Sequence, residues 1–179
     1  MNTLYIERST GDSRNGTWVR KLDLTPRPDR IIVGTGPGSF AGIRSALAFA
    51  QGYAIGAQNC EVLGLPSACA LAEDGKNIAV VGDARRGKFW IALFSSFNLV
   101  KDIFQVDGAE NLPRSIPDDY QVVTPDAERI DELLRGTFAT RYLGGRLPTV
   151  EGLARFAAAN PSILKKEPLP IYLNPAVRD

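Results

Sequence analysis

Histidine is absent from all 179 residues. That absence removes Ser-His-Asp triads, Cys-His dyads, H-E-x-x-H helices and every other histidine-ligated metal site. Carboxylate-only metal sites and carboxylate acid–base pairs survive it. Cysteine is scarce: Cys60 and Cys69 form no C-x-x-C and no disulfide framework, and both read as small buried thiols. Neither charge is in excess, with 21 basic against 20 acidic residues for a net +1. Sequence-independent nucleic-acid binding needs a basic surplus to displace counterions, so a partner is expected to supply most of any RNA contact. No long apolar run is present. The most apolar stretch, Ser45 to Ala57, is interrupted by Gln51 and two glycines and falls short of the ~20 residues a bilayer requires. Met1–Thr10 lacks the basic-then-apolar pattern of a signal peptide. A cytoplasmic location without a membrane partner is therefore expected.

What is present suffices for a core: 44% of residues are hydrophobic and 23% charged, as in ordinary globular chains. The length suits one domain or two small lobes. Leu4–Ile6 reads as a strand, Asn15-Gly16 as a hairpin turn and Thr17–Leu22 as the returning strand, closed off by Pro26 and Pro28. Arg30–Val33 is a second strand and runs into the glycine loop Gly34-Thr-Gly-Pro-Gly-Ser39. A helix follows, with Ser39 as its cap and Phe40, Ile43, Leu47, Ala50 and Ala54 at three- and four-residue steps. One of its faces carries Ala46, Ala50, Ala54 and Ala57, with Gly42, Gly52 and Gly56 nearby. Such a face packs tightly on the chain's own sheet or on a helix of a second chain. Further on come a short helix over Ser67–Glu73, a strand–turn–strand over Asn77–Phe94 with Gly87 at the turn, and a strand over Gln121–Thr124. A helix capped by Thr124 or Asp126 runs through Arg135, an amphipathic helix covers Thr149–Ala159, and Leu169–Val177 forms an extended clip. The mixture calls for an α/β fold with both kinds of sheet pairing.

Two segments carry possible chemistry. The glycine loop joins a strand to a helix start, where backbone N–H groups and the positive helix end favour anions. Its spacing fits neither the dinucleotide fingerprint nor the P-loop, since no Gly-Lys-Ser/Thr follows. The turn Asp83-Ala-Arg85-Arg86-Gly-Lys88 presents three cations and one carboxylate. It reads either as a solvated turn or as a contact to a partner or to RNA phosphates.

The whole string Gly36-Pro37-Gly38-Ser39-Phe40-Ala41-Gly42-Ile43-Arg44, with the small-residue helix and Gln51-Gly52 behind it, resembles the TsaB (YeaZ) family. Gly82-Asp-Ala-Arg-Arg-Gly-Lys-Phe-Trp90 and Pro170-Ile-Tyr-Leu-Asn174 are similar to two further motifs of that family, in family order. The resemblance implies an actin-like ATPase (RNase H-like) α/β fold, here with a shortened first lobe over residues 1–75 and a second lobe over 76–179. It implies a role in threonylcarbamoylation of adenosine 37 of tRNA, as a non-catalytic partner of a TsaD-like catalytic subunit and a TsaE-like ATPase, touching tRNA indirectly. The catalytic relative binds metal through an H-x-x-x-H pair, which a chain without histidine cannot build.

By the same resemblance, the partner interface falls on Gly36, Pro37, Gly38, Ser39, Phe40, Gly42, Arg44, Ala46, Ala50 and Ala54; a homodimer is a further partner expectation. Asp83, Arg85, Arg86 and Lys88 are the candidates for an anion or RNA contact. No catalytic residue, metal ligand or cofactor is expected on this chain alone; ATP or ADP with magnesium would sit at a partner interface. Ala41 stands where the family usually has threonine. Glu7-Arg8 replaces the polar turn that faces nucleotide in ATP-binding relatives, and reads as a solvated strand end. The connection from the first hairpin to Arg30 lacks the helix that family members carry there, leaving one side of the Ser39–Ala57 helix uncovered. The rival enzyme reading is a small kinase or ATPase of the same superfold, with Gly34–Ser39 cradling phosphate and Asp83 holding a metal. A diverged paralogue without the tRNA role is the third.

Overall fold

The apolar run Ile31-Ile32-Val33 is buried on both faces, as continuous β-branched runs are in parallel sheets. The structure, a computed structural model, describes residues 2–10, 27–57 and 59–173. In chain order its elements are β1 (Thr3–Ile6), β2 (Arg30–Gly34), α1 (Phe40–Gly56), β3 (Glu61–Leu65), β4 (Asn77–Arg85), β5 (Lys88–Ser95), β6 (Asn98–Leu99), β7 (Phe104–Asp107), α2 (Leu112–Ser115), β8 (Gln121–Thr124), α3 (Ala127–Phe138), β9 (Tyr142–Gly145), α4 (Val150–Ala159) and β10 (Lys165–Lys166). The hairpin turn and returning strand expected over residues 15–22 lie outside the described residues.

The described chain divides into two units. The first takes the residues up to Ala70 together with Pro148–Ile171, and the second takes Leu71–Leu147 with the residues from Tyr172 onward. A single cut at residue 75 therefore differs from the observed division. Helix α4 returns to the first unit, because its apolar face packs there: Gly152 lies so close to the Ala70 carbonyl that a Cβ would overlap it, and Leu153 and Phe156 are fully buried.

The first unit is a four-stranded sheet in the order β1-β2-β3-β10. Strands β1, β2 and β3 are parallel, and β10 is antiparallel to β3. Helix α1 lies on this sheet through Ile43, Ala46, Leu47 and Ala50, which join Leu4, Ile6, Ile31 and Val33 in one core. Its start is fixed as expected: the Ser39 hydroxyl accepts the Gly42 N–H at 3.3 Å. Helix α4 is capped the same way, with Thr149 Oγ1 accepting the Gly152 N–H at 3.0 Å.

The second unit has its longest strands, β4 and β5, paired antiparallel, with β8 parallel to β4, β9 parallel to β8, and β6 and β7 on the outer side of β5. Helix α3 inserts Ile130, Leu134 and Phe138 at four-residue steps against Ala79, Val81, Ile91 and Val122. The expected capping of α3 is different in detail. Thr124 Oγ1 accepts the Asp126 N–H at 3.0 Å, while the Asp126 carboxylate makes no cap bond and turns to Asp83 and Arg129. The short helix expected over Ser67–Glu73 is a 3-10 turn, Ser67–Leu71. Cys69 is fully buried and Cys60 half-buried, and both are free thiols. The C-terminal clip is extended over its described part, where the Ile171 N–H donates to the Thr35 carbonyl at 2.9 Å; Asn174–Val177 lie outside the described residues. No helix among the described residues is long and apolar enough to cross a membrane.

Candidate functional site

The glycine loop leaves the carboxyl end of β2, where open parallel sheets usually offer a ligand crevice. Four donors of the loop and the first turn of α1 are engaged within the chain. The Thr35 N–H reaches the Leu65 carbonyl at 2.9 Å, the Gly36 N–H reaches Ser67 Oγ at 3.0 Å, the Ser39 N–H reaches the Ser9 carbonyl, and the Gly42 N–H goes to the Ser39 cap. A phosphate cradle needs several such groups turned outward together. Here three of them close the loop onto Ser9, β3 and the Ser67 turn, and the fourth caps α1.

Beneath the loop lies Glu7, and here the sequence expectation is overturned. Glu7 is not a solvated strand end: it is 6% exposed. Its Oε1 accepts the Ser9 N–H at 2.6 Å, whereas Oε2 is buried without a hydrogen bond of good geometry. Gly34 makes room for it, since a Cβ there would overlap Glu7 Oε2 and come within 2.7 Å of Ser67 Oγ. Burial pushes the Glu7 carboxyl above the usual carboxylate range, and hydrogen bonds from Ser9, Ser67 and the Arg8 N–H offset only part of that. The preference for a neutral acid follows from the chain path. Ile6 is the last residue of β1, and Glu7 turns inward under β2 while Arg8 half-emerges and donates to Ser45 Oγ at 2.9 Å.

The ten residues expected at a partner interface separate sharply by burial. Gly36, Pro37, Gly42, Ala46 and Ala50 are buried within the chain, Ser39 and Ala54 are half-buried, and Gly38, Phe40 and Arg44 are exposed. Gly42 is small because the Arg8 carbonyl occupies the place of its Cβ. The face bearing Ala46 and Ala50 is thus the inner one, lying on the chain's own sheet. The outer face of α1 is a different stripe, Ala41, Ser45, Ala48, Gly52 and Ile55, exposed at alternating steps of four and three. Ile55 is 88% exposed, and Phe40, at 57%, carries the Arg44 guanidinium 4.4 Å over its ring. Sequence reading missed this stripe. Alanine and glycine fall on both its inner and outer sides, so periodicity identified the helix without deciding which small face turns inward.

The second candidate segment is the β4–β5 turn. Asp83 is mostly covered: its carboxylate accepts the Arg85 N–H at 2.8 Å and pairs with Arg129 Nε at 3.1 Å and Arg85 Nη1 at 3.4 Å. Its Oδ2 is thereby held by two guanidinium groups and its Oδ1 by a backbone N–H. Among the described residues no three His, Cys, Asp or Glu side chains come together as metal ligands. Arg85 and Arg86 are exposed, and Lys88 is half-buried and pairs with Asp107 at 3.1 Å. Beside them Lys88, Gln105, Asp107, Asn111, Arg114 and Ser115 line an open groove of about 530 Å³. Arg114 was not singled out in the sequence, because the strand β7 and the short helix α2 that bring it to Lys88 carry no periodic signal.

The comparisons with known proteins agree with this geometry. A family model described as TsaD: tRNA N6-adenosine threonylcarbamoyltransferase matches residues 18–121, more than half of the chain. Two solved structures from Pseudomonas aeruginosa have the same fold. One is an uncharacterized protein with similarity to peptidase YEAZ (18% identity) and the other is YeaZ itself (19% identity). Each gives a TM-score of 0.68 over 97% of this chain and 100% of its own. No curated protein matches the sequence. The actin-like α/β fold and the resemblance to TsaB (YeaZ) are both upheld, and the chain belongs to the TsaD tRNA N6-adenosine threonylcarbamoyltransferase family.

Proposed function

We propose that this chain is a non-catalytic partner subunit in tRNA threonylcarbamoylation, docking on a TsaD-like catalytic subunit through the outer face of α1. One observation carries the reading: a family whose catalytic member holds metal through a histidine pair is represented here by a chain with none. The turned-in glycine loop, the buried Glu7 and the paired Asp83 support the same side, because three loop donors are spent within the chain, Gly34 closes over Glu7, and Arg85 and Arg129 hold Asp83. The outer stripe Ala41-Ser45-Ala48-Gly52-Ile55 lets a second helix approach closely, with Phe40 and Ile55 as apolar anchors at its ends. A TsaE-like ATPase and tRNA then join through the complex, in the cytoplasm, with nucleotide and magnesium held by the assembled subunits.

The test is co-purification with the TsaD-like protein of the same organism, with and without ATP, sized by light scattering. A stoichiometric complex that dissolves on Ala48→Arg is expected. Ala48 is exposed, so the variant chain should keep its own fold, which circular dichroism checks. Well-folded components that form no complex under any nucleotide condition would overturn the reading. A magnesium-dependent thermal shift of the isolated chain with ATP would instead support the small-ATPase rival. A dimer of the chain alone that Ala48→Arg splits would assign the same face to a second copy.

A further inference from the structure

We propose that the cationic β4–β5 turn and the groove beside it bind the phosphate backbone of the RNA substrate, so that this subunit contacts tRNA directly. The inference rests on the tRNA-modification reading above and extends it to a surface distinct from α1. Four cations converge there. Arg85 and Arg86 stand on the turn, and Lys88 and Arg114 line the groove. The turn is fastened to the groove wall, since the Gly108 N–H donates to the Gly87 carbonyl at 2.9 Å. Arg86 and Arg114 are exposed and have no ion pair among the described residues. Asp83 is covered by Arg129, and the groove's one carboxylate, Asp107, is neutralised by Lys88 at 3.1 Å. Arg85 shares Asp83 with Arg129, and Glu110 is exposed beside Gly108, so the cations without an ion pair among the described residues are the two guanidinium groups of Arg86 and Arg114, although the chain's net charge is only +1.

The backbone adds a second observation. Arg85 and Arg86 both adopt left-handed conformations, at φ 70° and 56°, ahead of Gly87 at 72°. Asparagine or glycine takes such a turn at lower cost. Two arginines in it oppose local stability, and conflicts of that kind collect at working surfaces. The groove is open to solvent rather than enclosed, which admits a polyanion as well as a small anion.

The experiment is fluorescence anisotropy of a labelled tRNA transcript. It is titrated with the chain alone and with its complex with the catalytic subunit, at several salt concentrations. The double variant Arg86→Asn/Arg114→Gln is compared with Lys165→Gln, which removes an exposed cation of the first unit. The double variant is expected to weaken tRNA binding by roughly tenfold or more at low salt and to flatten the salt dependence by about one unit for each phosphate-bound cation removed. The control should leave both unchanged. Equal losses in control and double variant would overturn the proposal, as would no loss, or no tRNA affinity beyond that of the catalytic subunit alone. Inorganic phosphate competing as well as excess unlabelled tRNA would replace RNA by a small anion as the ligand and also overturn it. Complex formation is read in parallel by light scattering. A complex that forms normally while tRNA binding ignores the double variant leaves the partner-subunit reading standing and removes only this one.

Discussion

Gly34→Ala probes the joint between β1, β2 and the glycine loop. The added methyl group would overlap Glu7 Oε2 and approach Ser67 Oγ to 2.7 Å and Glu7 Cδ to 2.8 Å. Both neighbours are buried, Glu7 at 6% and Ser67 at 0% exposure. The carboxyl can yield only by giving up the 2.6 Å bond that its Oε1 accepts from the Ser9 N–H. Overpacking a tight site costs about 1–3 kcal/mol, and breaking the hydrogen bond about 1 kcal/mol more. A total of about 2–4 kcal/mol follows, measured by urea unfolding followed by circular dichroism. The discriminating form is a double-mutant cycle. In a Glu7→Ala background the carboxyl is gone, and Gly34→Ala should cost less than about 1 kcal/mol, leaving a coupling of about 2 kcal/mol between the two positions. A coupling below about 0.5 kcal/mol would refute the reasoning, because the methyl group would then be clashing with something other than Glu7.

Glu7 titrates higher in the folded chain than in the unfolded one. The folded state therefore holds the extra proton above the unfolded value of about 4.3, and stability falls as pH rises from there to the folded pKa. Glu7→Gln should remove that fall, so its stability advantage over the parent should grow with pH across that window in pH-dependent urea unfolding; a constant difference would count against a buried acid. Gly82→Ala should destabilise by about 2–4 kcal/mol, because its Cβ would enter the indole of Trp90, buried directly opposite on β5; a melting temperature within a degree of the parent would refute that packing. Arg86→Asn should stabilise the isolated chain by roughly 0.5–1 kcal/mol by relieving the left-handed arginine, with thermal unfolding as the readout and a drop in stability as the contrary result.

The sequence was most legible where one residue settles a local choice. Ser39 is a cap in the sequence and a cap in the structure, because a hydroxyl ahead of a helical run has few competing uses. The β4–β5 pair was equally plain, two apolar runs flanking a glycine turn. What could not be read depended on contacts between distant segments. Glu7 looked like a strand-end carboxylate, and only the close approach of Gly34 and the Ser67 turn makes it a buried acid. Asp126 looked like a cap, yet Asp83 and Arg129 draw its side chain away. The two small faces of α1 could not be ranked because alanine and glycine carry little polarity to mark inside from outside. Strand β7 and helix α2 went unseen for want of periodicity, and with them Arg114.

The division of the chain has a consequence for its birth on the ribosome. The strands of the second unit all lie within Leu71–Leu147, so they emerge in one stretch of synthesis. The first unit is split, and its sheet, although begun at Thr3, waits for α4 and for β10 to close the edge at β3. During translation at about 5–20 residues per second, the later-encoded sheet can form while the earlier one still exposes the apolar underside that α4 will cover. A chain truncated after Leu147 and released from the ribosome should therefore protect β4 and β5 from protease and leave β1 to β3 open to chaperones.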